Sequence, residues 1–412
     1  MTKVGFFKQT IHDLPLGHGK HHRVLLRVDY NVPLRDGKVS DDLRIRASIP
    51  TLEYLLDKGC SLVLMSHLGR PEGHDLSCSL EPAAKRLEEL LKRKVIFVDD
   101  TAGDAAYQAV RNAPQGSIVM FQNVRFDKRE EEDSEEYAEE IAHAAQADYF
   151  VQDAFGVVHR AHSSTRAITE FLPSVAGLLI EREYEVINGA MEDPKKPLVA
   201  ILGGAKVSDK IKVVERFVEI ADTILVGGAM ANTFLDYKGV HMGASKVEEG
   251  QKSTLDSIYE AARKKVGDKV DEFLVLPIDL AVTTEVKENA KRHNQHLDKI
   301  KSDEMALDIG DESIEKYTSI ISNAKTVIWN GPLGMSELDE FAHGSARVAL
   351  AMATRPEIQS IVGGGDTADF VLKWDAKEGK SFSHVSTGGG ASLDLMSGKK
   401  LPGVECLLDR GK

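Results

Sequence analysis

Short, continuously apolar runs recur along this chain, and each ends in a polar or glycine-rich turn. The first half offers His22–Val32, Ser61–Ser66, Val95–Val98, Ser117–Phe121 and Tyr149–Gln152. The second offers Leu198–Leu202, Thr223–Val226, Glu272–Leu276, Thr326–Trp329, Ser360–Val362 and His384–Ser386. Continuous rather than alternating apolarity suits strands buried on both faces of a parallel sheet. Helical patterns stand between them, at Ser79–Lys92, Ser134–Gln146, Lys210–Ala221, Ser253–Lys265 and Ser313–Asn323. Strand–helix alternation predicts an α/β chain of doubly wound, Rossmann-like parallel sheets. At 412 residues it is too long for one core, so two domains are expected. The stretch from Ala176 to Pro197 reads as a joining helix and a Pro-bounded loop, placing a boundary near residue 180 and a hinged cleft between domains 1–180 and 181–392.

The net charge of −13 argues against nucleic-acid or acidic-membrane partners. A phosphate binder of this composition must concentrate its positive charge locally. Three cysteines without metal-ligand spacing point to a reducing compartment. The opening residues lack the apolar core of a signal peptide, and no run approaches the length that spans a bilayer. A soluble, cytoplasmic protein is expected. The charge run Lys128–Glu140 reads as a solvated loop and helix start.

The turns change character half-way along. In the second half they carry Gly, Lys and Asp. ILGGAKVSDKIKVV (201–214) places Lys206 and Lys210 four apart near a helix start. The macrodipole disfavours cations there unless an anion such as phosphate is bound; solvated surface lysines are the alternative. This is not a GxxxxGK[ST] P-loop. SIVGGGDTADF (360–370) is a second strand–glycine–helix turn. Gly363, Gly364 and Gly365 permit close approach of phosphate, Asp366 could hold Mg²⁺, and Thr367 adds a hydroxyl. A capping Asp after a tight turn is the alternative. HVSTGGGASLDL (384–395) repeats the pattern at Gly388–Gly390, and WNGPLG (329–334) precedes Glu337.

The first half carries Arg and His at the same relative places. RVDYNVP offers Asp29 and Asn31, SHLGRP offers His67 and Arg70, NVRF offers Arg125, and AFGVVHRAHSS offers His159, Arg160 and His162. Arg44 lies in DDLRIRASIPT. Arginine is suited to bidentate recognition of phosphate and carboxylate. An Asx-capped turn remains open for Asp29 and Asn31.

RVDYNVP, SHLGRP, NVRF, DAFG…HRAHSS, LGGAKVSDKI, WNGP, GGGDT and STGGGAS together resemble the signature segments of the phosphoglycerate kinases, in order from about residue 23 to 404. The resemblance implies a two-lobed monomer whose C-terminal tail, about 393–412, packs back on the N-terminal lobe. It implies transfer of phosphate between 1,3-bisphosphoglycerate and Mg-ADP, giving 3-phosphoglycerate and Mg-ATP. Asp29, Asn31, Arg44, His67, Arg70, Arg125, Arg160 and His162 would then bind phosphoglycerate. Lys206, Lys210 and Gly364–Thr367 would form the nucleotide site, with Glu337 on the ribose. Gly204, Ala205, Leu307, Pro332 and Met335 would line the adenine pocket, and Asp366 would bind Mg²⁺. The chain departs from the family pattern at Gln152, Val157, Val158, Ser336 and Asp311.

Both nucleophiles of such a transfer are already ionised, so no general base is required. Arg44, Lys206 and Mg²⁺ are expected around the transferring group, with Lys210 on the nucleotide side. Backbone N–H groups around Gly365 and Gly388 would complete the cradle. Two rivals stand beside this reading. A dinucleotide-dependent dehydrogenase lacks an acidic ribose ligand at a second strand end. A non-catalytic nucleotide-binding scaffold on the same fold would be expected to have lost the charged residues that remain here.

Overall fold

The computed structural model describes residues 5–17 and 19–411. They pack as two compact units. The first runs to Glu185 and takes in the chain from Lys400 onward; the second spans Val186–Lys399. The division falls within the helix Leu178–Glu192.

In the first unit, the strands are β1 (Arg23–Arg27), β2 (Leu34–Arg35), β3 (Lys38–Val39), β4 (Ser61–Met65), β5 (Val95–Val98), β6 (Ile118–Phe121), β7 (Tyr149–Gln152) and β8 (Ser174–Ala176). Six of them form a wholly parallel sheet in the order β5-β6-β4-β1-β7-β8, while β2 and β3 make a small hairpin. β4 and β6 are buried at every residue, as strands covered by helices on both faces must be. One core cluster gathers Leu26, Leu52, Leu55, Leu62 and Leu87, and a second gathers Leu25, Val63, Tyr137, Ile141 and Phe150. Each such side chain contributes roughly 1.5–3 kcal/mol through burial.

In the second unit, β9 (Leu198–Leu202), β10 (Thr223–Val226) and β11 (Leu274–Val275) are followed by β12 (Asp279–Thr283), β13 (His293–His296) and β14 (Met305–Ile309), then β15 (Thr326–Asn330), β16 (Gln359–Gly363) and β17 (His384–Val385). The main sheet is again parallel, in the order β11-β10-β9-β15-β16-β17. The α/β class and the doubly wound parallel sheets are as the sequence predicts.

An antiparallel sheet, β13-β12-β14, adds to that expectation. So do the helices Leu43–Asp57, Gly228–Tyr237 and His343–Ala353. The charge run also differs from its reading as solvated surface. Glu130 is fully buried within it, because the polar groups around Ser164 give its carboxylate partners.

This topology positions the site. Asp29 and Asn31 follow β1, His67 and Arg70 follow β4, Arg125 follows β6, and Arg160 and His162 follow β7. Those four strands are consecutive neighbours in the first sheet. Gly204–Lys206, Pro332, Gly364–Thr367 and Gly388 follow β9, β15, β16 and β17, which are consecutive neighbours in the second. Parallel strands end on one side, where ligands of doubly wound sheets bind.

Candidate active site

The first unit gathers a cluster of cations. Arg27, the last residue of β1, is 1% exposed. Its guanidinium donates to Ser164 Oγ at 2.8 Å and to the Val28 carbonyl at 2.6 Å, and lies 3.2 Å from His67 Nδ1. A guanidinium can only donate, so Nδ1 accepts and the His67 ring is neutral, leaving Nε2–H as a donor. Burial, then Arg27, Arg125, Arg44 and His162, hold His67 well below the usual imidazole range.

Arg44 starts the helix Leu43–Asp57 and reaches back to Asp29, Nη1 to Oδ2 at 2.8 Å. Asp29 Oδ1 also accepts from the Asn31 N–H, while Asn31 Oδ1 accepts from the Gly69 N–H at 2.9 Å. The Asx turn is therefore present, and its second side chain fixes the SHLGRP loop.

Arg125 donates to the Gly69 carbonyl at 2.8 Å and pairs with Glu131 at 3.1 Å, and its Nε is buried without a partner. Burial lowers its affinity for a proton. Glu131 and Glu130 oppose that effect, while Arg160 and Arg70 add to it. Burial, followed by Arg125, Arg27 and Arg160, pushes His162 down to about 4. His162 Nδ1 lies 3.8 Å from Glu130, whose carboxylate accepts from Ser164 N–H and Oγ. Arg70 is exposed and Arg160 half-buried. All eight expected residues thus lie in one unit, and Asp29, Asn31, Arg44, His67, Arg70, Arg125, Arg160 and His162 are linked by contact or by field. The four arginines among them are like charges whose fields also keep both imidazoles neutral, and an anion relieves that repulsion.

The second unit builds with backbone. Gly204 (φ +89°) and Gly331 (φ +100°) sit where strand ends nearly touch. A Cβ on Gly331 would lie 2.2 Å from the Gly203 carbonyl. The Gly204 N–H donates to the Pro332 carbonyl at 2.8 Å, and the Met335 N–H to that of Leu307 at 2.8 Å. Four of the five residues expected around adenine are thereby joined in two pairs, while Ala205 and Met335 are exposed.

Lys206 and Lys210 do not share a helical face. The helix starts only at Ile211, because Ser208–Lys210 form a tighter 3-10 turn. Lys206 stays exposed, whereas Lys210 Nζ folds back to the carbonyls of Gly203 at 2.8 Å and Asn330 at 3.1 Å. Burial pulls its ammonium down to about 8 despite Asp366 and Asp209 nearby.

Gly364 (φ +90°) precedes the helix Gly365–Trp374, so Asp366 stands in the first turn rather than at the cap. Asp366 is exposed; the Thr367 hydroxyl accepts from the Gly331 N–H at 2.7 Å. A Cβ on Gly365 would meet open space. The Gly388 N–H donates to Ser386 Oγ at 3.1 Å, so that amide is engaged within its own turn instead of facing a ligand. Glu337 is exposed and lines a cavity together with Asp366.

Sequence reasoning missed three groups. Arg27 and Glu130 hold the basic cluster from beneath, and their only signal is a charge at the end of an apolar run or inside an acidic one. Asn330, 1% exposed, leaves Nδ2 unpartnered beside Gly364. It lies within WNGP, where only the Pro-Gly turn drew notice.

Both sets offer fixed N–H and cationic groups for neutralising anionic oxygen, the chemistry of phosphoryl-transfer enzymes. The family model "Phosphoglycerate kinase" matches residues 12–399. A phosphoglycerate kinase of Dictyoglomus turgidum is 43% identical over 98% of this chain and 100% of its own length. One of Akkermansia muciniphila is 46% identical over 98% of each chain. The solved structure of phosphoglycerate kinase from Coxiella burnetii superposes with a TM-score of 0.83 at 35% identity, covering 97% of this chain and 98% of that one. The chain belongs to the phosphoglycerate kinase family, and it is a kinase with that family's function. Nothing in these comparisons favours a non-catalytic scaffold.

Four of the five departures from the family pattern sit in structural positions. Gln152 is buried and its Oε1 accepts from the Ala154 N–H. Val157 is buried beside Val158, whose carbonyl accepts from the Gly403 N–H at 2.9 Å. Asp311 opens the helix Asp311–Ser322, where an acid suits the macrodipole, and pairs with Arg292 at 2.9 Å. Ser336 lines the cavity shared by Glu337 and Asp366. Among the described residues no helix is long and apolar enough to cross a membrane.

Proposed function

We propose that the chain catalyses reversible phosphoryl transfer between 1,3-bisphosphoglycerate and ADP, forming 3-phosphoglycerate and ATP. The acceptor in the ATP-consuming direction is a carboxyl group. The first unit binds phosphoglycerate through Asp29, Asn31, Arg44, His67, Arg70, Arg125, Arg160 and His162. The second binds the nucleotide, with adenine near Gly204, Ala205, Leu307, Pro332 and Met335, ribose on Glu337, and phosphates among Lys206, Lys210 and Gly364–Thr367. The enzyme is proposed to act as a cytoplasmic monomer, without nucleic-acid or membrane partners.

One observation carries this reading: the first unit gathers Arg44, Arg125 and Arg160 around the neutral rings of His67 and His162, whose protonation their fields oppose, and an anion bound there relieves the repulsion among the cations. In the ATP-forming direction an ionised β-phosphate oxygen of ADP attacks the acyl phosphorus. The bond from phosphorus to the acyl oxygen breaks, and the electron pair leaves with the carboxylate. No proton moves, so the residues contribute alignment and charge neutralisation. Arg44 and Lys206 are assigned to the transferring group, and Lys210 to the nucleotide side.

Mg²⁺ fits this donor set. It keeps several waters and takes one or two carboxylates beside phosphate oxygens, and Asp366 is an exposed carboxylate in the first turn of a helix that opens after a glycine. Bound there through Asp366, Mg²⁺ would neutralise charge on the phosphate oxygens.

The test is 3-phosphoglycerate-dependent formation of ADP from Mg-ATP, with a coupled dehydrogenase removing the acyl phosphate. Turnover requiring both 3-phosphoglycerate and Mg²⁺ is expected. A folded protein that binds Mg-ATP yet turns nothing over would instead be the scaffold.

A further inference from the structure

The cavity on which Glu337 and Asp366 open has a volume of about 670 Å³ and does not end with them. It continues along the helices His343–Ala353 and Gly365–Trp374 to Phe370, Lys373 and Trp374. Neither adenine nor phosphate accounts for this far end, since the residues assigned to adenine follow β9 and β15 or, as Leu307, lie in β14, and those assigned to phosphate follow β9 or stand at the start of the helix after β16. It begins where the ribose hydroxyls are assigned.

Its chemistry is specific. Phe370 and Trp374 are half-buried, and Phe370 is fixed edge-on against the buried Trp329, with ring centroids 6.2 Å apart. Ala342 and Ala346 add small side chains to the lining. These are surfaces for a planar ring. Four carboxylates line the space, those of Glu337, Asp339, Asp366 and Asp369. Against them stand His343 and Lys373, whose ammonium is already within 3.8 Å of Asp369. The excess of negative charge disfavours an anion.

We propose that this cavity is a subsite of the nucleotide site that takes a planar aromatic group, neutral or cationic, carried on the ribose hydroxyls of the nucleotide. The proposal rests on the assignment of Glu337 to the ribose. It makes the kinase tolerant of ribose-substituted nucleotides and selective against those whose substituent is anionic.

The probe is N-methylanthraniloyl-ADP, a neutral aromatic ester on the ribose, titrated into the intact chain beside ADP. Trp374 and Trp329 are the only tryptophans, and both stand close to the cavity, so energy transfer from tryptophan to the probe reports its binding. The ester is expected to bind at least as tightly as ADP and to draw energy transfer from tryptophan, with Trp374→Leu weakening its affinity severalfold. Ala346→Phe, which narrows the wall, is expected to weaken the ester roughly tenfold or more while leaving ADP turnover unchanged. Should that variant not fold, Trp374→Leu tests the same surface. Trinitrophenyl-ADP, whose ring carries a negative charge, is expected to bind more weakly than the neutral ester. ADP binding without the ester, or ester binding indifferent to both Ala346→Phe and Trp374→Leu, would overturn the subsite alone. Failure of ADP itself to bind would sink the nucleotide assignment and the subsite with it.

Discussion

The two units meet anions by opposite means. In the first, the binding groups are side chains: Arg27 braces His67, Asp29 holds Arg44, and Gly69 and Glu131 hold Arg125. In the second, the shape is made by backbone, with glycines at φ +89°, +100° and +90° letting strand ends close on one another and Lys210 tied to carbonyl oxygens. A side-chain site fails when one functional group is removed. A backbone site fails when one atom is added.

The largest expected effect comes from the first kind of damage. Arg44 is a third exposed and pairs with one carboxylate, so Arg44→Ala should leave the fold intact. On the proposed mechanism it removes an arginine from the transferring group, which costs on the order of 10³–10⁵ in kcat. A normal kcat would remove Arg44 from the chemistry and leave the first unit a binding surface only.

Adding an atom to the second unit comes next. Gly331→Ala places a Cβ 2.2 Å from the Gly203 carbonyl at a φ of +100°. Strain and overpacking together should cost about 2–6 kcal/mol. Urea unfolding should show the loss, and KM for Mg-ADP should rise while that for the phosphoglycerate stays put. If alanine is tolerated with both KM values unchanged, the nucleotide cradle is not a backbone device.

These two cases also mark what the sequence can disclose. The parallel sheets were legible because strands such as β5 and β9 are apolar at almost every residue, and β5 has the predicted limits. β13, His-Asn-Gln-His, has no apolar residue to betray it, and Pro50 disguises the helix Leu43–Asp57. The candidate cations at strand ends were visible as residue types. Arg27 and Glu130 were not, because buried charges run against the usual burial of residue types and depend on partners distant in sequence. The glycine runs announced a close backbone approach, but not which amides face outward; Gly388 spends its N–H on Ser386.

Protonation acts in both units, with opposite signs at particular residues. Burial pushes Asp308, which accepts from the Ile309 and Gly344 N–H groups, up to about 7. A carboxyl with a raised folded-state pKa adds stability below its unfolded value near 4, and that stability is lost as pH rises through 7. His162, depressed to about 4, does the reverse: its contribution is present above about 6.5 and lost as pH falls. The first unit also holds Asp153, pushed up to about 7, so wild-type curves mix the two signs. Asp308→Asn isolates one of them. Relative to the parent it should gain stability from pH 4 to pH 8, by on the order of 4 kcal/mol. Denaturant midpoints that run parallel across that range would show that Asp308 is ionised in the folded chain.

Thr367 gives the smallest and most discriminating test, because its hydroxyl belongs to the backbone device and is also proposed to meet the phosphates. Its oxygen accepts from the Gly331 N–H, which makes it part of the backbone device, and the residue is fully buried, so a phosphate oxygen would have to approach closely to take its proton. Thr367→Val removes both roles, and Thr367→Ser restores both. Loss of the Gly331 bond alone should cost about 1 kcal/mol of stability. If the hydroxyl also donates to phosphate, Thr367→Val should raise KM for Mg-ADP severalfold, with Thr367→Ser recovering it. If stability falls while KM holds, Thr367 supports the Gly331 turn and the phosphate is held without it.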